Sequence, residues 1–465
     1  VATAFFMENL DSTIIATALP QMARSFGVIA SSLSIGMSAY MVTLALFIPV
    51  SGWVADRWGA RTVFGVAIGI FTLGSVLCGL TSNATMFTLA RVIQGVGGAA
   101  MVPVGRLLIL RSTPKQDLIQ ALTAVTLPGL TATVIGPPLG GFITTFASWR
   151  WIFLLNVPLG LLGIGLIATV VPVFEGRDRR QFDWPGFLLS GASLGSLLAG
   201  AEILGQEAGN AGLGAAFFAI SGALGYCLFR HARAHRNPLI DYSVLRFPTF
   251  SVTVISGSLT RVAIGAVPFL APLMLQASFG MSAFKAGTLF LASAAGTLGI
   301  RAATTQIVKR CGFRMTMTTN TIAVSLTLAA CATLTRDSSP VLIFGVLFLS
   351  GMARSIQFTC LNALAFADID SRQMSSASTL YSTVQQAAMG MGITVGALAL
   401  QWAGKLSGGS SRYLASNFRI AFLFLAVIAL ISAFGYANLP SGAGDGLRAR
   451  GGARNMGCDA DTSGS

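Results

Sequence analysis

Three ionisable residues stand inside stretches of this chain that are otherwise apolar enough to enter a bilayer. Glu8 and Asp11 lie three apart in the first stretch, on one face of any helix it forms, and Arg91 lies in the fourth. A charge at the centre of a spanning helix costs about 2.5–3.5 kcal/mol on insertion scales, so each such group calls for a reason. Two acids sharing a face in low dielectric repel, and a bound proton relieves the repulsion. That is the chemistry of a proton carrier. Asp11 can equally be the fixed partner of Arg91, and both readings stand for Glu8, Asp11 and Arg91.

A second cluster, Gly52-Trp53-Val54-Ala55-Asp56-Arg57-Trp58-Gly59-Ala60-Arg61, separates two long apolar runs. The connection is too short to do more than reverse the chain, yet it carries an acid and two arginines. Charges gathered at a tight membrane-edge turn suggest a latch, made in one conformation and broken in another. The fifth run carries Gly129, Gly136, Pro137, Pro138, Gly140 and Gly141. Small residues permit close helix packing and prolines a local bend, so this run reads as a packing and kink element, and a natural pivot. The later runs hold Arg261, Arg301 and Arg354 and no carboxylate. Arg261 and Arg354 either attract anionic groups or bond to carbonyls, while Arg301 can snorkel to the surface. Gln276, with Met274, Phe358 and Met389, either lines a cavity or fills the core.

The elements that must position these residues are membrane helices. The chain has 465 residues, 54% hydrophobic and 10% charged, with a mean hydropathy of +0.73. Soluble domains carry about 25% charged residues. About 20 apolar residues make a span, and fourteen such runs are predicted, at 1–20, 34–55, 62–80, 84–108, 119–146, 151–173, 185–204, 212–229, 250–277, 284–306, 315–334, 340–362, 376–403 and 417–437. The chain opens at Val1 directly into an apolar run, with neither a basic leader nor a small-residue cleavage site. It therefore reads as a helix short of a few residues rather than as a signal peptide. From 441 to 465 it turns polar and aperiodic, as a disordered tail does.

The net charge of +14 is topological rather than a nucleic-acid footprint. Fifteen basic residues fall in one set of alternate loops (Arg57, Arg61, Arg111, Lys115, Arg177, Arg179, Arg180, Arg230, Arg233, Arg236, Arg246, Lys309, Arg310, Arg314, Arg372) and six in the other. By the positive-inside rule both termini are cytoplasmic. Six cysteines show no CxxC pair and no metal-ligand spacing, and the two histidines, His231 and His235, sit in one predicted loop. No nucleophile–base set and no phosphate loop appears, so the sequence argues against an enzyme and for no metal or cofactor.

An internal repeat is faint but present: Asp56-Arg57-Trp58-Gly59-Ala60-Arg61 returns as Lys309-Arg310-Cys311-Gly312-Phe313-Arg314, 253 positions on. The predicted organisation is all-α: a six-helix half over 1–173, an inserted helix pair with linkers over 174–249, a second six-helix half over 250–440, and the tail.

Together these segments resemble the major facilitator superfamily, and within it the 14-helix drug:proton antiporter branch of the EmrB/QacA type. The resemblance rests on Leu10-Asp11-Ser12-Thr13-Ile14-Ile15 with Ala18-Leu19-Pro20, the Gly52–Arg61 loop, Arg91 to Ala100, Gly129 to Gly141, and Trp149-Arg150-Trp151-Ile152-Phe153-Leu154-Leu155-Asn156-Val157-Pro158. Met101-Val102-Pro103-Val104 followed by Gly105 and Arg106 resembles its MdtD-like subgroup. The resemblance implies two halves that alternate access to a central site, driven by the proton gradient with no other cofactor. It implies an amphipathic small-molecule substrate and a monomer in the bilayer of a bacterial inner membrane. It assigns Asp11 to proton coupling and Arg91 to the proton relay. Asp56, Arg57 and Arg61, with Gly52 and Gly59, fall on the latch, and Gly136 to Gly141 on the antiporter kink. Glu8 is not part of that pattern. Arginines in the later helices, where some drug exporters carry acids, leave an anionic metabolite or metal chelate as an alternative cargo, and a non-transporting sensor as a third reading.

Overall fold

Backbone N–H and C=O groups in a bilayer must pair within their own segment, so apolar runs there become helices. The computed structural model describes residues 1–112, 118–171, 181–205, 211–235, 238–369, 373–406, 414–440 and 442, and every regular element among them is helical. In chain order these are α1 (Ala2–Ile14), α2 (Leu19–Phe26), α3 (Ser34–Trp58), α4 (Ala60–Leu80), α5 (Ala84–Ser112), α6 (Leu118–Phe146), α7 (Arg150–Leu154), α8 (Asn156–Val170), α9 (Trp184–Gly205), α10 (Ala211–Ala234), α11 (Pro248–Gly265), α12 (Val267–Leu273), α13 (Ala283–Gly299), α14 (Arg301–Thr333), α15 (Pro340–Ala365), α16 (Met374–Leu406) and α17 (Ala415–Ala437). Each of the fourteen predicted spans falls on one or two of them. Ten stretches among the described residues are long and apolar enough to cross a membrane. The first predicted span is divided after Ile14 by a 3-10 turn, and α13 has 17 residues. The predicted tail, and Lys115, Arg177, Arg179, Arg180, Arg236 and Arg372 in the loops, lie outside the described residues.

Local chemistry sets the helix ends. Asn83 Oδ1 accepts the Met86 N–H at 2.8 Å, and Ser282 Oγ and Ser339 Oγ accept those of Lys285 and Leu342, each at 3.2 Å. Such caps contribute about 1 kcal/mol each. Pro20 and Pro268 both sit in the first turn of their helices, where a missing N–H leaves no bond unmade. Upstream of each the helix breaks: a 3-10 turn at Ile15–Thr17 in the first half, a join at Ala266 in the second.

Two six-helix sets show one packing pattern. In the first, α1 packs on α6, α3 and α4 on α5, and α4 on α8. In the second, α11 packs on α16, α13 and α14 on α15, and α14 on α17. The repeat seen in the sequence has a backbone counterpart. Gly59 has φ +85° and Gly312 φ +76°, a region open to glycine at no steric cost, and each turns the chain between two helical arms. The chain thus ends α13 at Gly299 and enters Gly312 from a helical arm beginning at Arg301, rather than from one span over 284–306. The match extends further along: Thr81 N–H donates to the Cys78 carbonyl and Leu334 N–H to that of Cys331, both pairs again 253 apart.

We call the end holding Gly59 and Gly312 the turn end. The halves meet through α3 against α16 and α6 against α13. Several bonds across this boundary among the described residues lie toward the far end. Ser38 Oγ donates to the Gly390 carbonyl (3.1 Å), Thr394 Oγ1 to Ser38 Oγ (2.8 Å), and Phe284 N–H to Thr145 Oγ1 (3.1 Å). α9 and α10 pack on each other, and α9 touches both α3 and α16, so the inserted pair straddles the boundary.

Candidate functional site

Asp11, on α1, is buried, with 1% of its surface exposed, and so is Arg91 on α5. Helix spacing brings them together: Arg91 Nη1 donates to Asp11 Oδ2 at 2.6 Å. Gln94, one turn along from Arg91, closes the arrangement. Its Nε2 donates to Asp11 Oδ1 (2.8 Å), and its Oε1 accepts from Arg91 Nη1 (2.5 Å). Gln94 also reaches Ser75 Oγ on α4 (2.7 Å), which accepts Asn156 Nδ2 from α8 (3.1 Å). Tyr40 of α3 lays its ring 4.0 Å from the Arg91 guanidinium. Five helices therefore converge on one carboxylate, both of whose oxygens are bonded.

The arrangement has slack. Arg91 Nε, Asn156 Oδ1 and the Tyr40 hydroxyl are buried with no hydrogen-bond partner among the described residues, as is Glu8 Oε2. Buried polar atoms ordinarily find partners, so these mark a network able to reorganise. Gln94 and Asn156 are quoted in the sequence motifs but given no role there. The signal for Gln94 is its position three residues from Arg91, on the same helix face.

The glycines of α6 divide between two neighbours. A Cβ at Gly136 would strike Thr13, one at Gly140 would lie 2.5 Å from the Ile14 carbonyl oxygen, and one at Gly129 3.0 Å from Asn9 Nδ2, all on α1. A Cβ at Gly141 would lie 2.5 Å from the Ala283 carbonyl oxygen, and the carbonyl of Pro137 occupies the space beside Gly287 on α13. α6 is therefore the wall between the helix that carries Asp11 and the opposite half, and it runs unbroken through Pro128, Pro137 and Pro138.

At the turn end, Arg61 Nη2 donates to the Ala168 carbonyl (2.8 Å) in the last turn of α8, where carbonyls lack helical partners. The Arg57 guanidinium lies 5.4 Å from the Trp53 ring. Trp53 in turn packs on Trp58 and, at 4.9 Å between centroids, on Phe182 just before α9. Asp56 is half-buried beside them, and a Cβ at Gly52 would meet nothing within 4 Å.

In the second half, Arg261 is fully buried. Nη2 donates to the Tyr381 hydroxyl (2.5 Å) and Nη1 to the Thr253 carbonyl (3.2 Å), and no acid among the described residues pairs with it. Arg354 Nη2 donates to Thr297 Oγ1 (3.2 Å), and Arg354 borders a cavity with Ile264, Val267, Val324, Leu328 and Ser350. Gln276 lies in a π-helical turn after α12, and its Nε2 donates to the Thr17 carbonyl (3.1 Å), which the break after α1 leaves available. It ties the two broken helices across the boundary. His231 lies on the last turn of α10 rather than in a loop.

A family model described as Major Facilitator Superfamily matches residues 1–393. The chain is 36% identical over 454 residues to the multidrug resistance protein MdtD of Escherichia coli (strain 55989 / EAEC), covering 95% of this chain and 94% of the relative. It is likewise 36% identical over 447 residues to the MdtD protein of Salmonella heidelberg (strain SL476), with the same coverage. Among solved structures it is similar in fold to a D-xylose-proton symporter (TM-score 0.67, 13% identity, 95% of this chain and 97% of that one). The nucleoside transporter NupG, as its D323A mutant, has a TM-score of 0.66 (12% identity, 94% of this chain and 97% of that one).

Proposed function

This chain belongs to the major facilitator superfamily, and we propose that it is a proton-coupled antiporter exporting amphipathic toxic compounds. It is a multi-pass membrane transporter, not an enzyme. The observation that carries the proposal is the buried Asp11–Arg91–Gln94 network. Protonating Asp11 cancels the charge that Arg91 pairs with, so the ion pair is lost and the Gln94 bond to Asp11 becomes a neutral one of roughly half the strength. Arg91 then keeps Gln94 and the Tyr40 ring, and α1 is freed to shift against α6. Because α6 also abuts α13, that shift is felt at the boundary between halves. Glu8, one turn from Asp11, serves as a second stop for the proton.

The same proposal places the turn end in the cytoplasm of a bacterial inner membrane, with both termini inside, since the basic loops cluster there. With its inter-half bonds at the far end, the molecule is then closed outward and open inward. The Gly52–Arg61 turn works as the latch of the opposite state, in which the turn end closes. The units run over 1–173, 174–249 and 250–440, each chain acts alone, and the small-molecule substrate sits between the halves. The test is pH-gradient-driven transport in proteoliposomes. A lipophilic cation should move outward against protons, and transport indifferent to the gradient would overturn the coupling.

One observation favours a second reading, an anionic cargo: Arg354 borders a small cavity, and neither it nor the buried Arg261 is bonded to a carboxylate among the described residues. On that reading Arg354→Gln abolishes transport of a small organic anion and spares a cationic dye. Equal loss of both would return Arg354 to a packing role.

A further inference from the structure

The inserted pair carries a cluster that the transport chemistry does not use. Asp183 immediately precedes α9, and His231 lies in the last turn of α10. His235 N–H donates to the His231 carbonyl at 2.8 Å, so the turn continues and sets both imidazoles side by side, tilted at 54° with their centroids 5.0 Å apart. His231 Nε2 lies 2.7 Å from Asp183 Oδ1. One ligand atom from each of the three residues falls within 4.8 Å of the others.

We propose that Asp183, His231 and His235 form a binding site for a divalent transition-metal ion, of which zinc suits the ligands best. Two imidazoles and one carboxylate are a ligand set for zinc, with water in the fourth place. Tetrahedral zinc sets ligand atoms about 3.3 Å apart, given bonds of about 2.0–2.2 Å. A rotation of the exposed His235 side chain would close the difference, whereas Asp183 is held by its neighbours. Its Oδ1 accepts the Gly186 N–H (2.9 Å) and its Oδ2 the Leu239 N–H (3.0 Å). Such outer bonds are what orient a metal-ligating carboxylate. Of the neighbouring cations, Arg233 is engaged over the Phe229 ring at 4.6 Å.

The position gives the ion work to do. It would join the start of α9, the end of α10 and the segment leading into α11. Phe182, next to Asp183, packs on Trp53 within the Gly52–Arg61 turn, and α9 lies against both halves. An occupied site stiffens the bridge at the place where the turn end must open and close.

The test uses the full chain, free of any polyhistidine tag, in detergent micelles after a chelator wash. Zinc titrated by calorimetry should bind once per chain, and cobalt should give the absorption of a tetrahedral site. His231→Gln and His235→Gln should each weaken binding by at least the roughly 10–100-fold that loss of an outer hydrogen-bond partner costs a metal site. His235 is exposed, so its variant keeps the fold. No saturable binding by the unmodified chain, or unchanged affinity in His235→Gln, would overturn the site and leave His231–Asp183 as a helix-end tie.

Discussion

Asp11→Asn is expected to abolish gradient-driven efflux while leaving gradient-free substrate exchange in place. Asparagine has the shape of a protonated aspartate and offers its one amide oxygen to Arg91 Nη1 or to Gln94 Nε2. The variant therefore holds the network in its proton-loaded form at every pH. Substrate can cross in both directions, but no proton leaves, and accumulation against the gradient falls to background. Arg91→Ala differs in kind. It strands a carboxylate that is 1% exposed, and breaking a buried pair from one side costs about 3–5 kcal/mol, so expression should fail along with transport. Parallel assays of efflux and counterflow in proteoliposomes separate the two. Normal pH-driven accumulation in Asp11→Asn would end the case for this carboxylate as the coupling group.

Gly287→Val should prevent the far end from closing. The Gly287 Cα faces the Pro137 carbonyl, and any Cβ there collides with backbone that cannot swing aside. Overpacking of this kind costs about 1–3 kcal/mol, enough to shift a two-state population about 5–150-fold. The strain falls on one conformer only, so the protein should still fold and reach the membrane, held away from the outward-closed state. A cysteine pair at Thr145 and Phe284, whose backbone N–H and hydroxyl lie 3.1 Å apart, reports on closure. Its cross-linking should drop in Gly287→Val, together with transport. Unaltered cross-linking would mean that α6 and α13 tolerate the bulk by another route. Gly52→Ala is the contrast: with nothing within 4 Å of its Cβ, it should leave far-end closure untouched.

Charge and hydropathy made part of this legible beforehand. Charged residues are so disfavoured in a bilayer that Asp11 and Arg91 stand out, and each predicted span falls on helix. The repeat of the Gly59 turn at Gly312 was readable because positive φ selects glycine in both copies. Amides carry no such flag. Gln94 and Asn156 look like ordinary polar residues until α4, α5 and α8 are packed together. For Gln276 periodicity offers cavity or core, whereas its bond to Thr17, 259 positions away, depends on breaks in two helices that local periodicity does not reveal. His231 and Asp183 are separated by 48 positions. Nothing in either segment alone announces the other, and the tight packing of α9 on α10 is what joins them.

The boundary between the halves also says something about speed. Where the halves touch, Gly287 meets the Pro137 carbonyl, Gly141 meets Ala283, and Gly390 meets Met41 and the Ser38 carbonyl. At these points the chains approach through glycine, so no long side chain has to change rotamer there, whereas at the far end Phe284 packs edge-on against Phe142 and Phe146. Such faces behave like a bearing: smooth surfaces roll, and the resistance comes from a few pins. Here the pins are the bonds from Ser38 to Gly390, Thr394 to Ser38, Gln276 to Thr17 and Phe284 to Thr145. The rate of turnover is then governed by how fast these bonds and the Phe284 ring contacts release.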